Sequence, residues 1–350
     1  MKMTRTHGHA AINSVITGIA ALVAGLALNS TAVYAQKTEV GGQSIALKFN
    51  HTDSPSGTRH QAAELFANKV SSYTSGRYRV LVFHSGQLGN DPKTIEALQA
   101  GTIDFTVSAT GSFAGLVPPL NLAMLPYLIE SYEQGWHLYD ESAWLKDQMS
   151  ALPAKGLRHI GTFESGFRSF ATKTPLASPG DAKNKTMRVF PNEIVKGTME
   201  AIGFNTLTMP VTEVYRAIQQ DKVIGQENPI DTIYSQRFFE VAPHITLTQH
   251  IYSPTPLMIS EMTWAKLTAA DRSAIARAAR EAVDFSRKST RDNDRRLLEV
   301  MTTKGAKVNR PDIPPFRNSV LRVYSDAKTK YGAHVDKLLA DAAMARKAFP

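Results

Sequence analysis

Strand-like and helix-like stretches take turns along the first two thirds of this chain, and that alternation limits its fold more than any other feature. Residues 44–50 read as a strand, and 55–70 as a helix with an apolar stripe at Ala62, Ala63, Phe66 and Val70. Residues 78–83 are β-rich and run into the turn Ser85-Gly86-Gln87-Leu88-Gly89. A short helix over 92–100 closes at Gly101, a strand returns over 103–107, and another follows at 159–163. Residues 116–127 are apolar but carry Pro118, Pro119 and Pro126, so they read as irregular buried chain. The pattern resumes with a strand at 186–189 and a helix at 193–202 closed by Gly203. A strand at 205–207, a helix at 212–220 with Thr212 as N-cap, and a short strand at 222–224 complete it. Alternation of this kind builds α/β sheets flanked by helices.

Size divides that architecture in two. Lys2 and Arg5 precede an apolar run over 18–28, and Val33-Tyr34-Ala35 gives a small-residue exit before Gln36, the three parts of a secretory signal. Eleven apolar residues are too few to span a bilayer, which takes about 20. Cleavage after residue 35 would leave 350 − 35 = 315 residues. One hydrophobic core rarely grows that large, so two lobes are expected. The chain has no cysteine, which removes disulfides, thiol catalysis and thiolate metal sites from consideration. Its formal charge of +9 falls to 9 − 2 = +7 once Lys2 and Arg5 are gone. A basic surface of that size suits acidic small molecules, anionic membranes or nucleic acid, and charge alone does not choose among them.

Two stretches suit crossings between lobes: Glu164-Ser165-Gly166, where glycine permits an unusual backbone angle, and the stiff Ser253-Pro254-Thr255-Pro256. Residues 268 to about 301 read as one long helix with Ile275, Ala278, Ala279, Ala282, Val283 and Leu297 on its apolar side. Acids interleave with its many arginines, and Asp284–Lys288 and Asp292–Arg296 are spaced to pair. That is a solvated scaffold face, not the one-sided basic face of a nucleic-acid helix.

The residues that carry chemistry lie in two short segments. Arg188, in Met187-Arg188-Val189, sits in or at the end of an apolar strand that a helix follows, where open α/β sheets bind ligands. A guanidinium there offers a planar fork to a carboxylate; an internal ion pair is the competing role. Gly225-Gln226-Glu227-Asn228-Pro229 reads as a turn leaving a strand. Asn228 could bond a ligand, and Glu227 could brace an arginine. The histidines show no ligand spacing, and no hydrolase elbow, zinc-protease or phosphate-loop motif occurs.

Several motifs together resemble one family. Ser85 to Gly89, residues 97–105, Met187-Arg188-Val189, Glu213-Val214-Tyr215, Gly225 to Pro229 and Phe238-Phe239-Glu240-Val241 are similar, in order and spacing, to the signature of tripartite ATP-independent periplasmic (TRAP) transporter solute-binding proteins of the dicarboxylate-binding type. The similarity runs from about residue 47 to about 309. It implies a two-lobed periplasmic-binding-protein-like α/β fold (class II), with lobes joined by hinge strands and a long spanning helix. One lobe would hold 36–165 with about 254–293, the other 166–253 with about 294–350. The resemblance implies that Arg188 binds the ligand carboxylate and that Arg168 is a second arginine in the pocket. It makes Asn228 a polar contact, Glu227 the support of the arginine, and Asn50 a contact from the opposite lobe. Thr110, in the loop 110–113, would help complete the cage.

It implies a monomer that hands a small organic acid to the small and large TRAP membrane subunits, with no cofactor, no metal, no nucleic acid and no catalysis, in the periplasm. Departures exist. Ile224 stands where relatives often carry an acid, and Ser112 where sialic-acid binders have arginine, which argues against that large sugar. Beyond about residue 311 the similarity fades, and the tail reads only as helix packing on the body. An exported sensor feeding a two-component kinase and a secreted enzyme are the rival classes. Phe163, Phe190, Tyr234 and Tyr252 read as core residues. The ligand expected is a hydroxy- or sugar-acid monocarboxylate, with a C4-dicarboxylate as the other choice.

Overall fold

The computed structural model describes residues 44–350, and the leader read over 1–35 lies outside them. Eleven strands are described: β1 (Ile45–Asn50), β2 (Tyr78–Phe83), β3 (Phe105–Val107), β4 (Leu157–Phe163), β5 (Phe167–Thr172), β6 (Thr186–Val189), β7 (Asn205–Thr208), β8 (Gly225–Pro229), β9 (His244–Tyr252), β10 (Thr255–Ser260) and β11 (Lys307–Asn309). They form two sheets, one ordered β2-β1-β3-β10-β4 and the other β11-β9-β5-β8-β6-β7. In the first sheet β1 runs parallel to β2 and β3, while β10 is antiparallel to β3 and β4. In the second, β6 is parallel to β7 and β8, and β5 is antiparallel to both β8 and β9.

The chain passes between sheets twice. It leaves β4 at Phe163 and enters β5 at Phe167, then leaves β9 at Tyr252 and enters β10 at Thr255. One buried carboxylate ties both crossings together. Glu164 Oε1 accepts from the Ser165 and Gly166 amides (2.9 and 2.7 Å), and Oε2 accepts from Trp136 Nε1 and Tyr252 Oη (both 2.7 Å). Burial raises the pKa of this carboxyl, and the four donors offset only part of that. Gly166 has φ +90°, and a Cβ there would lie 3.0 Å from Tyr132 Oη, so both backbone angle and space call for glycine.

The long helix covers Ala269–Thr303, with the Thr268 side chain accepting from the Asp271 amide. At about 1.5 Å per residue it is long enough to flank both sheets. Ile275, Ala278, Ala279, Ala282 and Val283 join the core formed by β1, β4 and the helix Thr58–Tyr73, whereas Leu297 and Met301 join the core around Ile230–Ser235 and β9. Small residues at 278, 279 and 282 allow close approach: a Cβ on Gly161 of β4 would touch Val283 at 3.0 Å.

Three expectations change. The segment 225–229, read as a turn, is the central strand β8, and the strand expected over 222–224 does not form. Its Gln226, Glu227 and Asn228 are polar yet buried, so hydrophobic periodicity gives no strand signal there. Thr212 does not cap a helix; it lies within the 3₁₀ turn Val211–Glu213 that precedes the helix Val214–Gln219. The tail does pack on the body as helix, as expected, in three pieces, Ile313–Ser319, Leu321–Tyr331 and Ala333–Ala348. The last packs on Tyr132–Glu141 and Ala143–Ser150, two helices with serine N-caps that the alternation pattern did not reveal.

Gly225 opens β8 where a Cβ would sit 2.2 Å from the Ala171 carbonyl oxygen of β5. Gly225→Ala should therefore lower the thermal unfolding midpoint, with a loss of about 2–4 kcal/mol in denaturant titration from forced separation of the β5–β8 ladder.

Candidate functional site

Three strand ends of the second sheet converge on a cavity of about 50 Å³. Arg188, on β6, is 1 % exposed. Its Nε and Nη2 both donate to the Met209 carbonyl (3.0 and 2.8 Å), and among the described residues no carboxylate lies within ion-pairing distance of it. That carbonyl takes the side-on edge of the guanidinium and leaves the Nη1–Nη2 edge for another acceptor. Burial lowers its pKa to about 10, with the charges of Glu227 and Asp91 working against the drop, so the group is a cation at neutral pH.

Arg168, from β5, is spent differently. Its Nε and Nη2 grip Glu227 Oε2 and Oε1 (2.5 and 2.7 Å), Nη2 also reaches the Glu227 carbonyl and Asn228 Oδ1, and Nη1 reaches Ser253 Oγ at 3.3 Å. Its guanidinium lies over the Phe190 ring, 5.0 Å from the centroid. At 4 % exposure it is no rim residue. Burial pushes the Glu227 carboxyl up, but the charge and hydrogen bonds of Arg168 and a bond from His250 outweigh it and hold the pKa at about 2. The acid thus braces Arg168, not Arg188. Asn228 lines the cavity, accepting from Arg168 and donating to Gln226 Oε1.

Two expected contacts stand elsewhere. Asn50 is fully buried at the end of β1, where Nδ2 donates to the Gly89 carbonyl and Thr94 Oγ1 and Oδ1 accepts from the Leu88 amide. It shapes the 85–89 turn and does not line the cavity. Thr110 bonds Tyr139 Oη at 2.7 Å and is likewise enclosed; its neighbours Ala109 and Ser112 face the cavity instead. Phe190, read as core, is part of the cavity wall.

The opposite wall is one the sequence reading missed. Thr52 and Asp53 follow β1, Arg59 lies in the first turn of the helix Thr58–Tyr73, and Asp91 opens the helix Asp91–Gln99. Thr52 and Asp53 sit beyond the carboxyl end of a parallel strand, and that rule could have found them. Asp91 Oδ1 accepts from Thr52 Oγ1 and Ser108 Oγ (3.2 and 3.0 Å). Burial raises its pKa, partly countered by Arg59, Ser108, Thr52 and Arg188. The walls also bond to each other: the Thr58 amide and hydroxyl donate to Asp231, Ser235 Oγ donates to Asp53, and Gln236 Nε2 donates to the Thr52 carbonyl.

Buried polar atoms without a protein partner are scarce in folded proteins. Arg59 Nε, Asp53 Oδ2 and Thr255 Oγ1 are such atoms, and all three residues line this cavity. The cavity shares Asp91, Ser112, Arg188, Phe190 and Val211 with a neighbouring chamber of about 260 Å³. Two α/β lobes joined by crossing strands, with an arginine-lined cleft between them, are the build of a bacterial solute-binding protein. The chain belongs to the family described as bacterial extracellular solute-binding protein, family 7, which matches residues 49–330.

Its relatives include the 2,3-diketo-L-gulonate-binding periplasmic protein YiaO of Escherichia coli, 29 % identical over 83 % of this chain and 86 % of that one. The C4-dicarboxylate-binding periplasmic protein DctP of Rhodobacter capsulatus is 29 % identical over 75 % and 78 %. Among solved structures, the sugar acid binding protein DctPAm of Advenella mimigardefordensis in complex with galactonate superposes with a TM-score of 0.84 at 28 % identity, covering 87 % of this chain and 99 % of that one. Structures of this kind are TRAP periplasmic solute-binding proteins, as in the D-erythronate-bound protein of Polaromonas, at 30 % identity and TM-score 0.82 over 85 % of this chain and 98 % of that one.

Removing the acid leaves Arg168 buried and unpaired, so Glu227→Gln should cost about 3–5 kcal/mol. The pH dependence follows from the depressed pKa. The stabilisation is fully present above the ordinary carboxyl value of about 4.3 and is lost as pH falls towards about 2. Acid unfolding followed by circular dichroism should be steeper across that window in the parent than in Glu227→Gln.

Proposed function

We propose that this protein captures a small organic acid outside the cytoplasmic membrane and delivers it to the small and large subunits of a TRAP-type, ion-coupled permease. The observation that carries the reading is Arg188, a buried cation that lines a cavity, has its Nη1–Nη2 edge left over from the Met209 carbonyl, and has no acid within ion-pairing distance among the described residues. A ligand carboxylate fits that edge with two parallel hydrogen bonds. Arg168, neutralised by Glu227, offers its aromatic-backed plane and fixes Asn228 as a polar contact. Excluding water strengthens the charge pair by lowering the local dielectric.

The bodies that close on the ligand are 36–165 with about 254–293 and 166–253 with about 294–350. The bonds from Thr58, Ser235 and Gln236 across the cleft would form on closure. Residues 1–35 act as the export signal, and the mature chain works as a monomer in the periplasm without catalysis. The galactonate complex of DctPAm and the diketogulonate named for YiaO support hydroxylated acids as ligands, and the R. capsulatus protein keeps C4-dicarboxylates in view.

A thermal-shift screen against organic acids should return a stabilising carboxylate. Calorimetry with that compound should show Arg188→Ala weaker by about 2–5 kcal/mol, and the compound should be recovered unchanged. A loss under about tenfold, or about 1.4 kcal/mol, would remove Arg188 from the role.

A further inference from the structure

The end of the cavity away from the larger chamber is built by Thr52, Asp53, Arg59, Ser165 and Gln236, none of which lines that chamber. Arg59 Nη2 donates to Ser165 Oγ at 3.3 Å, while Nε is buried without a partner. Asp53 Oδ1 accepts from Ser235 Oγ at 3.1 Å, while Oδ2 is buried without a partner. Both residues line one cavity, yet among the described residues Arg59 forms no ion pair. Gly57 gives the Asp53 carboxylate its room, since a Cβ there would fall 2.2 Å from Oδ2.

A donor and an acceptor held this way suit a group that both accepts and donates. A hydroxyl does: its oxygen accepts from Arg59 and its O–H donates to the Asp53 carboxylate. A second carboxylate only accepts. It would meet Arg59, but also the charge of Asp53, with Asp231 close behind on Thr58 and Asp91 on the same wall. Like charges brought together out of water are strongly disfavoured. We propose that Arg59 and Asp53 read the far end of the ligand, so that this protein selects a hydroxylated monocarboxylate and rejects the diacid of the same carbon chain. The inference rests on the reading above, in which Arg188 holds the first carboxylate.

The test is calorimetry on the mature chain with the C4 to C6 aldonates, each paired with the aldarate of the same carbon skeleton, D-erythronate with meso-tartrate and D-galactonate with galactarate among them. In the pair that binds, the monoacid should be at least about tenfold tighter. Arg59→Gln should weaken the monoacid by about tenfold or more, and Asp53→Asn should narrow the gap between monoacid and diacid. Should Asp53→Asn fail to fold, Arg59→Gln, a partly exposed position in a helix, carries the test. A diacid bound as tightly as its monoacid, or a monoacid indifferent to Arg59→Gln, overturns the proposal while Arg188→Ala still abolishes binding. Absence of binding by every aldonate and aldarate overturns this proposal alone; the underlying reading fails if no carboxylate in the organic-acid screen binds, or if Arg188→Ala leaves binding intact, and either result overturns both.

Discussion

Glu227 has no exposure and cannot remain uncompensated in the middle of a sheet. Arg168 satisfies it from the neighbouring strand with a side-on, two-bond grip, and the register that pairs Phe170 with Glu227 and Arg168 with Pro229 sets that reach. The pair is close to neutral as a unit. Arg188, one strand further across the sheet, therefore keeps its charge available, and among the described residues its hydrogen bonds go to the Met209 carbonyl. Two arginines that look alike in the sequence and line the same cavity come to do different work: one neutralises the buried acid of the sheet, the other keeps its charge unpaired.

The same economy of buried charge governs the join between lobes. Glu164 collects donors from its own crossing, from the helix Tyr132–Glu141 and from the end of β9, so both crossings refer to a single point. The long helix adds a rigid flank shared by both cores. The two walls of the cavity are carried on elements of the two sheets and meet through hydrogen bonds among side chains and backbone. The Thr58 amide and hydroxyl, which donate to Asp231, illustrate the fit, because the start of one lobe's helix meets a carboxylate on the other.

Much of the frame was legible in the residues. The strands 78–83 and 186–189, the helix 193–202 and the long helix from about 268 follow from local periodicity, which acts within a few neighbours in the chain. β8 was not legible, because a strand buried by polar side chains shows no apolar alternation. Nor was the fate of Asn50. Its position at a strand end suits a ligand contact, and only the path of the 85–89 turn shows that its amide is already satisfied.

By itself the sequence determined the α/β class, the two crossing points, the absence of disulfides and the place of Arg188 at the end of a strand. Tertiary structure decided which acid meets which arginine, and it brought Thr52, Asp53, Arg59 and Asp91 to face Arg188 from residues far away in the chain. Periodicity and turn chemistry are local and can be read from neighbours. Pairing of buried charges depends on sheet register and lobe contact, and those exist only once the whole chain has closed on itself.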